Sequence, residues 1–357
     1  MINKKIFIVC ADPKTKGGVA SVVNSILEMK LYSNESLFFF PNSDDSLPVK
    51  LVKFLFTFFY FIIQLLFNRP DYVHVHTSSY SSFLRKSLFI YVTKLFRVKY
   101  VVQIHGGSFS SFYRDGSKLL KRYIEVCLKS AECLITVSEE AGREISDTFE
   151  SISVKVIPNF VYPLPEIEAS TNSCRCEKTY NSTLLFMADI SDVKGFEDAV
   201  KITKYLNRKY PLITLKCAGK MDKEYFNKVL NRNEMQAHVE YVGFLRENCK
   251  YDFLRSGLFL ISPSKVEAFG MSNLESALIG TPVCAYSVGG VPTVIKNNVN
   301  GILAVKEDWK YLADSIASFI DNTKMYSNLK CRCINDIRLR FSAKSIALLY
   351  NDVYSKK

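Results

Sequence analysis

Two series of short, uninterrupted apolar runs, separated by helix-length segments, organise the chain. The first holds residues 6–11, 37–41, 72–76, 100–105, 134–137 and 154–157. The second holds residues 183–187, 213–218, 239–242, 258–261, 283–286 and 301–305. A strand that stays apolar at successive positions is covered on both faces, the condition of a parallel strand between crossover helices. Each series therefore predicts a βαβ succession and a doubly wound sheet. Between them the pattern breaks at Pro158, Pro163 and Pro165 and enters a polar stretch of linker composition. Beyond residue 305 no strand signal follows, and the remainder reads as helices. The chain divides on this reading into a domain at 1–162, a linker at 163–181, a domain at 182–335 and a terminal helix at 336–357, a candidate to pack back on the first domain.

The most apolar stretch, residues 54–67, follows Lys50 and Lys53 and precedes Arg69. Taken alone it is short of a membrane-spanning helix. The expectation is a crossover helix buried in the first domain, in preference to a helix lying in a membrane surface.

Composition agrees with two packed domains: 357 residues, 48% hydrophobic and 23% charged. The net charge of +12 calls for anionic partners, whether ligand phosphates, nucleic acid or a membrane surface. The cations are scattered, without a basic-aromatic stripe or a nucleic-acid-reading signature, which argues against nucleic acid. Most of the 10 cysteines, Cys10 and Cys217 among them, fall in core strands and read as reduced residues of a cytoplasmic protein. The C-x-C pairs Cys174/Cys176 and Cys331/Cys333 lie outside structural zinc spacing. The amino terminus has no signal-peptide pattern, so export is not expected.

Ligands of open parallel sheets sit outside the carboxyl ends of the strands, so the loops there carry the chemistry. In the first domain Gly17 and Gly18 follow the first strand and open a helix, where backbone N–H groups can approach an anion. A tight structural turn would use the same glycines. His105 stands at a strand tip beside Gly106 and Gly107 and is the best functional histidine; His74, His76 and His238 are expected to be packing or loop residues. In the second domain Lys194, before Gly195, stands where a following helix begins, beside the positive end of its dipole. The segment 262–277 is the most informative. A strand ends near Pro263, a turn passes Phe269 and Gly270, and a helix begins at Met271 and Ser272 with free N–H groups suited to an anion. Glu267 in the turn and Glu275 in the helix flank them as acceptors for sugar or ribose hydroxyls. Gly289 and Gly290 form a close-approach loop after the next strand.

Taken in order, these features resemble the retaining glycosyltransferases of the glycosyl transferase group 1 family. Glu267 and Glu275 match its E-x7-E motif, supported by Gly280-Thr281-Pro282-Val283, Gly289-Gly290 and Asn300-Gly301. The resemblance covers nearly the whole chain. It implies an α/β fold of GT-B architecture, two doubly wound Rossmann-like domains facing a cleft. It also implies a nucleotide-diphosphate-sugar donor and no required metal or other cofactor. The donor would lie on Lys194, Glu267, Phe269, Gly270, Met271, Ser272 and Glu275, with Gly17 and Gly18 closing over the diphosphate and His105, Glu267 and Lys194 at the reaction centre. A saccharide or lipid-linked acceptor would follow, in cell-surface polysaccharide biosynthesis such as lipopolysaccharide or capsule, with a cytoplasmic enzyme peripheral on the inner face of the cytoplasmic membrane.

The chain departs from the family where an Arg usually precedes the Lys: here Ala188-Asp189 stand before Lys194, and Thr293 replaces a common Glu. Either Asp189 points away and Lys220 or Lys265 supplies the charge, or donor binding is weakened. The alternatives are therefore a degenerate donor-binding or partner protein with little turnover, and a sugar-nucleotide epimerase on the same fold. A Rossmann dehydrogenase is disfavoured, because no G-x-G-x-x-G follows either first strand.

Overall fold

The structure is a computed structural model that describes residues 2, 4–15, 18–41, 46–107, 109–164, 182–245 and 247–355. Gly17, the pair Cys174/Cys176 and the expected linker from residue 165 lie outside the described residues. The chain forms two compact units, Met1–Pro163 with Phe341–Lys357, and Leu164–Arg340.

The first unit runs β1 (Ile6–Val9), α1 (Gly18–Glu28), β2 (Leu37–Phe39), α2 (Leu47–Phe67), β3 (Tyr72–Thr77), α3 (Ser81–Leu95) and β4 (Lys99–Ile104). It continues with α4 (Phe109–Arg114), α5 (Lys118–Leu128), β5 (Cys133–Thr136), α6 (Glu139–Thr148) and β6 (Val154–Val156). Its six strands pair in parallel in the order β2-β1-β3-β4-β5-β6.

The second unit runs β7 (Thr183–Met187), α7 (Phe196–Asn207), β8 (Thr214–Ala218), α8 (Lys223–Asn233), β9 (Val239–Gly243), α9 (Glu247–Arg255) and β10 (Phe259–Ser262). Then come α10 (Met271–Leu278), β11 (Val283–Tyr286), α11 (Val291–Val294), β12 (Gly301–Ala304), α12 (Trp309–Asp321) and α13 (Thr323–Arg340). This sheet is parallel in the order β12-β11-β10-β7-β8-β9. The twelve apolar runs of the sequence coincide with the twelve strands, their ends shifted by no more than two residues.

After α13 the chain returns to the first unit as α14 (Ala343–Tyr354). Polar bonds hold it there. Tyr350 Oη donates to Gln103 Oε1 at 3.0 Å, and Tyr354 Oη lies 2.7 Å from His74 Nδ1. Strand alternation explains the two faces of this sheet. Val73, Val75, Val102 and Ile104 point into an apolar cluster with Phe61 and Phe89, whereas His74, His76 and Gln103 point to the opposite face.

One expectation needs correction. The apolar stretch 54–67 belongs to the longer helix α2, and that helix is not buried. It seats Phe61 and Leu65 against the sheet, but Phe56 is 72% exposed and Phe67 85%. An apolar run reports affinity for a nonpolar surrounding and not what supplies it. A helix apolar all round can be anchored through one face while the other is left bare.

Cys10, Cys127, Cys217, Cys284 and Cys333 are buried thiols outside any disulfide. Burial pushes the Cys10 thiol up to about 12, which keeps it protonated and inert.

Candidate functional site

In the second unit the strand order reverses beside β7: β8 and β9 lie on one side of it, β10, β11 and β12 on the other. A crevice opens at such a switch point, between the carboxyl ends of the two central strands. The loops after β7 and β10 carry Lys194 and Glu267, and the structure brings them together: Lys194 Nζ stands 2.7 Å from Glu267 Oε2.

These loops are locked by close backbone approach. Lys265 N donates to Val193 O at 2.9 Å, and Lys265 Nζ bonds Asp192 Oδ1 at 2.8 Å. Gly195 adopts φ +74°, and a Cβ there would lie 1.9 Å from Pro263 O. On the other side Gly289 adopts φ +52°, and its Cβ would lie 1.9 Å from Glu267 O, while Gly290 N donates to that same oxygen at 3.0 Å. The glycine pair thus holds the Glu267 loop by backbone contact that any side chain would prevent.

The helices of the unit start in two ways. Asp222 caps α8 and Asp308 caps α12 with side-chain oxygens bonded to first-turn N–H groups. The two helices at the switch point begin instead on left-handed glycines, Gly195 before α7 and Gly270 before α10, without side-chain caps. Each forgoes a side-chain cap at a cost of about a few tenths of a kcal/mol, small because glycine itself suits the N-cap position. In α10 the N–H groups of Met271, Ser272 and Asn273 precede the first intrahelical bond, from Leu274 N to Gly270 O. Asn273 is fully buried, with neither side-chain polar atom hydrogen-bonded among the described residues. Phe269 is buried beside them.

Glu275 lies one turn further along α10 and is 5% exposed. Its Oε1 accepts from Lys250 Nζ of α9 at 2.6 Å. Burial raises its pKa, and the Lys250 ammonium offsets only part of that rise. Lys250 escaped sequence analysis because it comes from a separate helix with no motif of its own. Asp189 is exposed, so its carboxylate is solvated; Lys265 is committed to Asp192, and Lys220 is exposed with no ion pair among the described residues.

The first unit carries a different centre. His105 is 6% exposed at the end of β4, and its Nε2 lies 2.9 Å from His76 Nδ1. The rings of His74, His76 and His105 stack, with centroids 4.2 Å and 5.2 Å apart in succession. Burial lowers the pKa of His74 and of His105 to about 3, and His76 shifts the same way, so all three are neutral at pH 7. His105 Nδ1 has no hydrogen bond among the described residues. Gly18 opens α1 and is exposed. Lys86 was missed: it is 2% exposed, and burial lowers its pKa to about 8. Its spacing from Phe83 and Ile90 in α3 put it on the buried side, a signal that periodicity did carry.

Two parallel six-stranded sheets, each doubly wound in its own unit, define the GT-B class of fold. The chain superposes on Anabaena HepE in complex with UDP-glucose with a TM-score of 0.76 at 16% identity, over 99% of this chain and 100% of that one. Residues 177–335 match the family described as Glycosyl transferases group 1, and residues 37–163 match Glycosyltransferase Family 4. The group 1 glycosyltransferase family thus accounts for most of the second unit, and the chain is a glycosyltransferase. It is 27% identical to an uncharacterized 41.2 kDa protein in the cps region of Klebsiella pneumoniae, over 86% of this chain and 87% of that protein. An uncharacterized glycosyltransferase of Methanocaldococcus jannaschii is 28% identical over 58% of this chain, which spans about half of that relative's length, 55%.

Proposed function

We propose that this transferase moves a sugar from a nucleotide-diphosphate sugar, with retention of anomeric configuration, to a saccharide or lipid-linked acceptor in cell-surface polysaccharide assembly. The observation that carries the reading is the meeting of Lys194, Glu267 and the uncapped start of α10 at the switch point of the second sheet. An arriving diphosphate competes for the Lys194 ammonium, and the first-turn N–H groups of α10 take its remaining oxygens. Glu267, released from Lys194, then accepts hydroxyls of the transferred sugar, and Glu275, oriented by Lys250, accepts those of the ribose. Departure of the nucleoside diphosphate builds negative charge, which a fixed cation and helix dipole stabilise without a protein-bound metal. His105, neutral, lines the acceptor side and offers Nδ1 to an uncharged hydroxyl.

UDP-glucose supports the donor class, since HepE is seen in complex with it. The test is calorimetric titration with a panel of nucleotide-diphosphate sugars, paired with turnover on lipid-linked saccharides. Lys194→Ala is expected to lower turnover by about 10²–10³-fold. Unchanged turnover and affinity would remove Lys194 from the diphosphate site. Asp189, standing where the family usually has an Arg, is the feature behind a second reading, a donor-binding protein with little turnover. Tight donor binding with no transfer to any acceptor would select it.

A further inference from the structure

The bare side of α2 continues onto α3. Along α2 the exposed residues Val52, Phe56, Phe59, Ile63 and Phe67 recur every three or four positions, and along α3 Leu84, Leu88, Tyr91 and Leu95 do the same. The two helices lie on one face of the first sheet and pack through Phe54, Phe58 and Phe61 against Phe89, which turns both stripes outward. An apolar surface of this extent on a folded unit marks a partner.

Charge selects the partner. From Ser46 to Val98 the only acid is Asp71, while Lys50, Lys53, Arg69, Arg85, Lys94 and Arg97 stand exposed or half-buried near the ends of the same two helices. A second copy docked on this face would set cations against cations. An anionic bilayer satisfies both features, its acyl region taking the aromatic stripe and its phosphates the cationic rim.

The helix is also long and apolar enough to cross a membrane, with residues Pro48–Phe67 at mean hydropathy 1.8 and 11% buried. Its topology forbids that while the unit is folded. α2 connects two parallel strands of one sheet, and Phe61, 0% exposed, meets Phe7 and Phe39 of that sheet at 6.2 Å and 5.0 Å. A spanning helix would leave that core open.

We propose that the α2–α3 face is a docking surface for an anionic phospholipid bilayer, on which the first unit lies with α2 in the interfacial plane. This deepens the reading of a lipid-linked acceptor, whose carrier would share that plane, but does not depend on the donor site.

The test is sedimentation of the full chain with vesicles of phosphatidylglycerol mixed into phosphatidylcholine, against phosphatidylcholine alone. Binding is expected on the anionic vesicles, with at least about a tenfold loss for the double variant Phe56→Glu/Phe59→Glu and a smaller, salt-sensitive loss for Lys50→Glu/Lys53→Glu. Both variants should keep the wild-type melting temperature and UDP-glucose affinity. A Phe56→Trp variant should show an emission blue shift on the same vesicles. Equal binding by the wild type and the Phe56→Glu/Phe59→Glu variant overturns the proposal, as does lipid-free dimerisation abolished by those two substitutions. Donor binding without any vesicle binding overturns this surface and leaves the transferase reading standing.

Discussion

The two units share one architecture and place opposite chemistry at the carboxyl ends of their strands. In the first, three buried histidine rings stack and are neutral. In the second, charge is kept in pairs, Lys194 with Glu267 and Lys250 with Glu275, whose side chains are 30%, 19%, 22% and 7% exposed. A group taken from water either gives up its charge or holds it against a partner. The histidines do the first, the glutamates the second. The contrast supports the proposed partners: cations and first-turn N–H groups in the second unit would suit a diphosphate, and the neutral rings of the first an uncharged sugar.

The contrast breaks most directly at Glu275. Glu275→Gln keeps the volume and removes the charge that answers Lys250. Donor affinity is expected to fall about tenfold or more, equivalent to roughly 1.4 kcal/mol. Folding stability should hold or rise, because the neutral amide avoids the desolvation that raises the pKa of the buried Glu275 carboxyl. Calorimetry and thermal melting measure the two effects separately. A variant that binds UDP-glucose normally would reduce Glu275 to a structural group.

Acidification sharpens the comparison, because the two centres respond with opposite sign. His74 and His105 titrate near 3 when folded and from 6.5 when free. Below pH 6.5 the unfolded chain therefore takes up protons that the folded stack refuses. Their contribution is complete above 6.5 and is lost progressively as the pH falls towards 3. The Glu275 carboxyl is raised above its ordinary 4.5, so it binds its proton more readily folded than unfolded, and acid relieves that site. Hydrogen exchange between pH 7.5 and pH 5 should show β3 and β4 losing protection before β10 and β11. The reverse order would mean that the histidines are solvated or paired with a carboxylate.

The strands were legible because two-sided burial leaves an unbroken apolar run, and the Glu267 and Glu275 positions because a turn and a helix start announce themselves locally. What escaped depends on the third dimension. Lys250 reaches Glu275 across 25 residues of sequence, and no spacing encodes that pairing. The stack needed register: His76 aligns with Gln103, and His105, two residues on, falls on the same face. His74 and His76 share a face by alternation alone, and a terminal helix was expected to pack back on the first domain, but the pattern did not say that it would cover this face. For α2 the pattern gave the helix and its apolarity, yet hydropathy is silent on whether protein or lipid provides the cover.

The finest test of the first unit lies where α14 meets the stack. Tyr32 Oη and Tyr354 Oη stand 2.9 Å and 2.7 Å from the same His74 Nδ1, an atom with one hydrogen-bonding site in the plane of its ring. The two hydroxyls therefore share one position, and either can fill it when the other is removed. Tyr354→Phe alone should cost less than about 1 kcal/mol, as should Tyr32→Phe, since in each case Nδ1 keeps a partner. The double variant leaves that buried atom with neither hydroxyl and should cost more than the sum of the singles. Urea unfolding of the four proteins gives this coupling directly. Additive losses would show that the hydroxyls act separately, and that α14 is held by its apolar residues and by Tyr350 on Gln103 instead of by the histidine face.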